Sequence, residues 1–151
     1  MNFKKILLIL SLLVFVFGIS AVFSENVTIE GSTFEVPQGY VINSSNDYSA
    51  HLVKQNNSNY TIFISEGNFS DLENAKQSRE IAGFKHMNEE VFLSDNNISV
   101  TMQSYMKNET FHSFYYFDAN NASYMIGYSF PVHDESDNQT NPVDEIINNI
   151  V

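Results

Sequence analysis

Apolar and polar positions alternate with a period of two through most of the second half of the chain. Over 98–106, Ile98, Val100, Met102 and Met106 fall on one side, and Ser99, Thr101, Gln103 and Tyr105 on the other. That is the pattern of a strand with two unlike faces. Over 123–130, Tyr124, Ile126, Tyr128 and Phe130 alternate with Ser123, Met125, Gly127 and Ser129. Segments 89–94 and 111–116 complete a set of four strands joined by short polar connections, which predicts an antiparallel meander. One sheet face is then fully apolar and the other mixed, so the mixed face is expected to be only partly covered.

The first half reads as three strands. Segment 27–36 is one strand with a bulge at Gly31-Ser32, and Pro37 to Tyr40 ends it. Segments 48–54 and 60–65 flank a polar hairpin loop. The period then changes. Ser70-Asp71-Leu72-Glu73 has the form of a capping box, opening a helix that runs to Gly83 as its left-handed cap. Its apolar side carries Leu72, Ala75 and Ala82, with the stem of Arg79 laid along the same stripe. A last helix is predicted from the Asn141 cap and Pro142 at the first position, with Val143, Ile146, Ile147, Ile150 and Val151 as its core-facing stripe. Three strands, a helix, four strands and a helix make an α+β domain. It has an antiparallel sheet of six to seven strands with helices packed on it.

Ahead of this domain, Lys4 and Lys5 precede an apolar run from Ile6 to Phe17 and a small-residue exit at Gly18, Ser20, Ala21 and Ser24. Residues 1–24 therefore read as a signal peptide, with an N-terminal membrane anchor as the alternative, since 18 residues from Ile6 to Phe23 barely span a bilayer. Residues 25–151 form one domain, enough chain for a core and too little for two. The expected location is extracellular or at the cell surface, with any membrane contact made through the N-terminal segment alone. The chain has no cysteine, which excludes disulfides, thiolate metal sites and a thiol nucleophile. Without Lys4 and Lys5, five Lys plus Arg stand against 18 Asp plus Glu, a charge of −13 that repels nucleic acid and anionic headgroups.

Asn-X-Ser/Thr triplets begin at Asn26, Asn43, Asn56, Asn59, Asn68, Asn97, Asn108, Asn121 and Asn138, none with Pro in the middle. Most fall in expected turns, where an exported acceptor is exposed and flexible, and where Asn and Ser are also the residues that turns prefer.

Phe34-Glu35-Val36-Pro37-Gln38-Gly39-Tyr40, the helix after the third strand, the aromatic meander and the apolar terminal helix together resemble the Mog1/PsbP-like domains, and among them the small exported archaeal proteins of unknown function. The resemblance spans nearly all of 27–151. It implies an α-β-α sandwich and non-catalytic binding or assembly roles, and it carries over no catalytic residue.

The residues themselves point to little chemistry. His51, His86, His112 and His133 show no helical i, i+4 pairing, and there is no His-Glu-x-x-His or Gly-x-Ser-x-Gly. The run His133-Asp134-Glu135-Ser136-Asp137 gathers oxygen ligands but lacks the register of a calcium loop. Glu66, Glu89, Glu90 and Asp118 are carboxylates whose proximity sequence cannot fix. No cofactor is expected. The aromatic run Phe111 to Phe117 has two bulky faces, so if helices leave them uncovered, Tyr105, Phe114 and Tyr116 form a binding patch for a glycan or an envelope protein. The expected function is a non-enzymatic binding or assembly module of the cell envelope. The alternative is a small exported hydrolase with unidentified catalytic residues, which a deep polar cleft with converging carboxylates or a His–carboxylate pair would favour.

Overall fold

The computed structural model describes residues 25–132 and 141–151. The expected signal peptide or anchor at 1–24, the His133–Asp137 run and the Asn138 triplet lie outside them. Nine strands and two helices follow in the order β1 (Asn26–Ile29), β2 (Ser32–Glu35), β3 (Tyr40–Asn46), β4 (Ser49–Lys54), β5 (Thr61–Glu66), α1 (Leu72–Ile81), β6 (Lys85–Leu93), β7 (Ser99–Lys107), β8 (Thr110–Ala119), β9 (Ala122–Pro131) and α2 (Pro142–Asn148).

Two of these strands correct the sequence expectation. The expected bulged strand over 27–36 is a hairpin, β1–β2, because Glu30 and Gly31 both take positive φ (45° and 83°), the two-residue turn whose twist matches paired strands. The second correction is β3, which occupies a stretch read as a turn and loop. Asn43, Ser44, Ser45 and Asn46 are polar because β3 is an edge strand with a register shift between Ile42 and Ser44. Its return to β4 is fixed by Asn46, whose Oδ1 accepts from the amides of Tyr48 (2.8 Å) and Ser49 (2.9 Å).

β1 and β2 form their own two-stranded sheet, and the other seven strands form one antiparallel sheet in the order β3-β4-β5-β9-β8-β7-β6. One face carries Leu52, Ile62, Ile64, Val100, Tyr124 and Ile126, all fully buried against Ile29 and Phe34 of the hairpin and Val143, Ile146 and Ile147 of α2. α2 starts at the expected Asn141 cap, whose side chain accepts from the Val143 amide at 3.1 Å. Val151 leaves the expected stripe. The helix has ended by then, and its backbone pairs with Thr33 of β2 (2.8 and 3.2 Å), which extends the hairpin's hydrogen bonding.

The strand order explains where α1 lies. β5 and β6 are consecutive in sequence but separated in the sheet by β9, β8 and β7, so their connection must cross the second face. α1 makes that crossing. Its cap is Asp71 rather than the expected Ser70: Asp71 Oδ1 accepts from the Asn74 amide at 2.9 Å, while the Ser70 amide donates to Asn68 Oδ1. Its end is a Schellman turn with Gly83 at φ 88°. The Phe84 amide donates to Arg79 O (3.0 Å) and the Gly83 amide to Glu80 O (2.9 Å). None of its residues is fully buried, and Ile81 is 89% exposed.

Candidate functional site

Ladder register places the second face in rows of cross-strand neighbours. The central row runs Ser44, His51, Phe63, Gly127, Phe114, Gln103, Glu89 from the β3 edge to the β6 edge. One neighbouring row contains Thr61, Ser129, His112, Tyr105 and His86, and the other Ser65, Met125, Tyr116, Thr101 and Val91. All three histidines of the described residues therefore share this face. Across the three rows the only carboxylate is Glu89, at the outer edge, with Asp118 in the next row beyond.

α1 covers the β8–β7 half. Arg79, the chain's only arginine, places its guanidinium carbon 3.8 Å from the centroid of Phe114, 5.4 Å from that of Tyr105 and 5.7 Å from that of Tyr116. A cation on a ring face is attracted by the ring quadrupole, worth about 0.5–1 kcal/mol at an exposed site and about 2 when desolvated. Its polar contacts are long: Nη1 to Gln103 Oε1 at 3.5 Å and Nη2 to Met125 Sδ at 3.9 Å. Gln103 is fully buried. Its Oε1 accepts from the Tyr105 hydroxyl (2.8 Å) and its Nε2 donates to Glu89 (3.1 Å), so it links the aromatic row to the β6 edge. Phe84, just past the helix, packs edge-on against Tyr105 and His112, and Lys107 Nζ donates to Ala82 O at 2.7 Å.

This cover alters the expected aromatic patch. Tyr105 is 0% exposed and Tyr116 5%, while Phe114 remains half-buried. The two tyrosines present no open surface, because the β5–β6 crossing lies over them. Burial raises the pKa of both hydroxyls, with Arg79 acting in the opposite sense. Among the described residues, the Tyr116 hydroxyl and His86 Nε2 are buried with no partner at hydrogen-bond distance.

Among the described residues, no such layer lies over the β3-β4-β5-β9 half of the same face. Here an open cleft of about 390 Å³ is lined by Ser44, His51, Thr61, Phe63, Phe114, Met125, Gly127 and Ser129. Gly127 forms its floor: a Cβ there would stand 3.4 Å from the Phe114 ring, so glycine lets that ring lean inward. Phe63 is 41% exposed. Asn43 Nδ2 lies 3.2 Å from His51 Nδ1, and Ser129 Oγ 2.8 Å from His112 Nδ1. Burial, and secondarily Lys107, hold His112 below its usual pKa. His51 and His112 are three strand spacings apart, roughly 14 Å, too far to share a metal, and among the described residues no group of three His, Asp or Glu gathers to hold one.

The carboxylates do not converge. Glu89 and Glu90 are neighbours on opposite faces, Asp118 accepts from Ser123 Oγ, and Glu66 pairs in the ladder with Tyr124. A second groove, beside α2, is lined by Asp95, Asp144 and Asn148. There the Asn148 amide donates to Asp95 Oδ2 (3.1 Å), and burial followed by Asp95 raises the Asp144 pKa.

The eight described triplet asparagines, Asn26, Asn43, Asn56, Asn59, Asn68, Asn97, Asn108 and Asn121, are all exposed. Asn56, Asn97, Asn108 and Asn121 take positive φ in turns. Phe63, Gly127 and Ser129 were missed from sequence as site residues. Their alternation was visible, but their adjacency depends on β5 pairing with β9 across 60 residues of chain.

No protein-family model and no curated protein matches this sequence. Among solved structures, the chain is similar to the solution structure of cyanobacterial PsbP (CyanoP) from Synechocystis sp. PCC 6803, with a TM-score of 0.60 and 12% identity over 87% of this chain and 94% of that one. A crystal structure from Bacteroides thetaiotaomicron VPI-5482 aligns at a TM-score of 0.42 and 10% identity, over 80% of this chain and 44% of that one. The fold is PsbP-like.

Proposed function

We propose that this chain is an exported or surface-tethered, non-enzymatic binding module of the cell envelope, and that its partner, a glycan or an envelope protein, is met at the uncovered half of the second sheet face. The observation that carries the proposal is the Phe63–Gly127–Phe114 cleft, shallow, mixed in polarity and bordered by hydroxyls and imidazoles. Small-molecule and glycan sites combine apolar contact with a few placed polar groups in this way. The charged, then apolar, then small-residue pattern of 1–24 supports work outside the cytoplasm.

The alternative, an exported hydrolase, draws on one specific contact, Ser129 Oγ to His112 Nδ1. That pair lacks what acyl transfer requires. No carboxylate contacts the His112 ring among the described residues, and Ser129 sits mid-strand between Thr61 and His112, its backbone committed to the ladder and not free to form an oxyanion hole.

The test is fractionation of the full-length chain from its native cells, combined with photo-crosslinking from position 63 and, as a control, from position 151 on the opposite side. Recovery with the envelope or medium, and one defined adduct from position 63 only, is the expected result. Recovery in the cytosol, or equal labelling from both positions, would overturn the proposal. Intact mass of the recovered protein reports triplet occupancy and leader cleavage in the same experiment. Hexose-containing mass increments would show the Asn-X-Ser/Thr triplets to be N-glycosylated, and a bare polypeptide mass would show them unmodified.

A further inference from the structure

Charge is distributed unevenly over this molecule, and the asymmetry bears on what the cleft binds. The chain carries 18 Asp plus Glu, yet the three central rows of the second face hold only Glu89, at the edge farthest from the cleft. The same face collects His51, His86 and His112, and α1 adds the single arginine. The lone guanidinium is therefore held over three strand rows that carry a single carboxylate, at their far edge.

Its position relative to the cleft is defined by shared walls. Arg79 rests on Phe114 at 3.8 Å and approaches Met125 Sδ at 3.9 Å, and both residues line the cleft. The guanidinium thus stands at the cleft's rim on the α1 side. It has five N–H donors in a fixed fork, and among the described residues their side-chain contacts are a long 3.5 Å one to an amide oxygen and one to a thioether, beside the Tyr105 and Tyr116 rings, with no carboxylate in contact. A fork of this kind is matched by a carboxylate, which accepts two parallel hydrogen bonds. On the opposite rim His51 lines the cleft beside Ser44, and Ser129 and Thr61 supply hydroxyls. Between the rims, Phe63 and Phe114 flank a floor with no side chain at Gly127, an apolar seat for the face of a ring.

Resting on the reading of this cleft as the binding face, we propose that its ligand is a small ring bearing a carboxylate, with the ring over Gly127 between the two phenylalanines and the carboxylate on the Arg79 fork. A uronic-acid sugar and an aromatic acid share this chemistry. The overall negative charge does not forbid it, because fields from distant surface carboxylates are screened over roughly 8 Å at physiological salt, whereas the rim cation is in contact.

The experiment is a two-dimensional NMR titration of the full chain with glucuronate and benzoate, and with glucose and benzyl alcohol as their uncharged counterparts. The expected result is saturable shifts at Phe63, Gly127 and Ser129 with a Kd on the order of 1 mM for at least one acid, and at least ~10-fold weaker binding of its neutral counterpart. The larger response of the two acids distinguishes a sugar acid from an aromatic acid. Gly127→Val, which fills the floor against the Phe114 ring, should abolish the shifts while leaving the β1–β2 and α2 resonances in place. His51→Gln tests the far rim without disturbing α1. Equal affinity for acid and neutral counterpart would overturn the carboxylate preference and leave the binding face intact. Shifts located elsewhere, or no saturation by about 50 mM, would overturn the carboxylate site, and the crosslinking experiment would then judge the envelope role separately.

Discussion

Arg79→Ala tests how α1 is held. The helix has ten residues, below the roughly 12–15 at which isolated helices become even marginal in water, so it depends on attachment to the sheet. No α1 residue is fully buried, and of its half-buried side chains, Leu72, Ala75, Lys76 and Arg79, it is Arg79 that stacks on the sheet's aromatic rings. Removing the guanidinium forfeits the stack on Phe114, about 1–2 kcal/mol at this partial burial. The lost stem methylenes, at about 0.8 kcal/mol each when fully buried and less here, add roughly 1 kcal/mol. A local loss of about 2–3 kcal/mol corresponds to roughly 30–100-fold more frequent opening of α1, since 1.4 kcal/mol is a factor of ten. Hydrogen exchange read residue by residue is the assay. Amides of 75–84 should exchange faster by that factor, while β5 and β9 amides keep their protection. Arg79→Lys, which keeps charge and stem but loses the planar face, should show a smaller rise of about 3–10-fold. Unchanged protection of 75–84 in Arg79→Ala, or an equal loss across the whole sheet, would refute the anchoring argument.

Two tyrosines of similar burial should respond oppositely to loss of the hydroxyl. Tyr124→Phe removes a hydroxyl placed 2.9 Å from Ser32 Oγ and 3.2 Å from Ile29 O and should cost about 1–2 kcal/mol in urea unfolding, whereas Tyr116→Phe removes an unpartnered one and should be neutral or stabilising by up to about 1 kcal/mol. Equal costs would show that the Tyr116 hydroxyl has a partner in solution. Gly31→Ala forces a side chain onto φ 83° and should lower stability by about 1–2 kcal/mol in the same assay, with loss of β1–β2 protection first. His112 has a folded-state pKa below its unfolded value of about 6.5, so the unfolded chain binds the proton first. Its contribution to stability is complete above that pH, falls as pH drops through the interval and levels off below the folded pKa. Tm measured between pH 7.5 and 5 should therefore fall less in His112→Gln than in the parent chain, and a steeper fall in the variant would contradict the assignment.

Particular elements show why some features were legible in sequence and others were not. α2 was readable because its cap, its proline and its buried stripe are all encoded within eleven residues, and the Gly83 stop was readable because a left-handed cap is a single-residue requirement. β1–β2 was misread because Glu30-Gly31 is an unusual pair for a two-residue turn, so a bulge fitted the same pattern. β3 was misread because an edge strand needs no buried alternation, and only Tyr40 of its seven residues is buried. In the site, the mixed character of β7 and β9 was visible, but the cleft was not. Phe63 and Gly127 become neighbours only when β5 inserts beside β9, and Tyr105 and Tyr116 are covered only because α1 must then cross three strands to reach β6.

The amino-acid sequence by itself determined the acidic and thiol-free character of the chain, the α+β class and the existence of one polar-apolar sheet face, since each depends on composition or on contacts a few residues apart. The tertiary structure decided which half of that face is covered, that three histidines and the lone arginine share it, and that a glycine lies between two phenylalanines there. Those are consequences of strand order, and strand order is set by the burial of one sheet face under the hairpin and α2 and of half of the other under α1, a global free-energy minimum that no local pattern records.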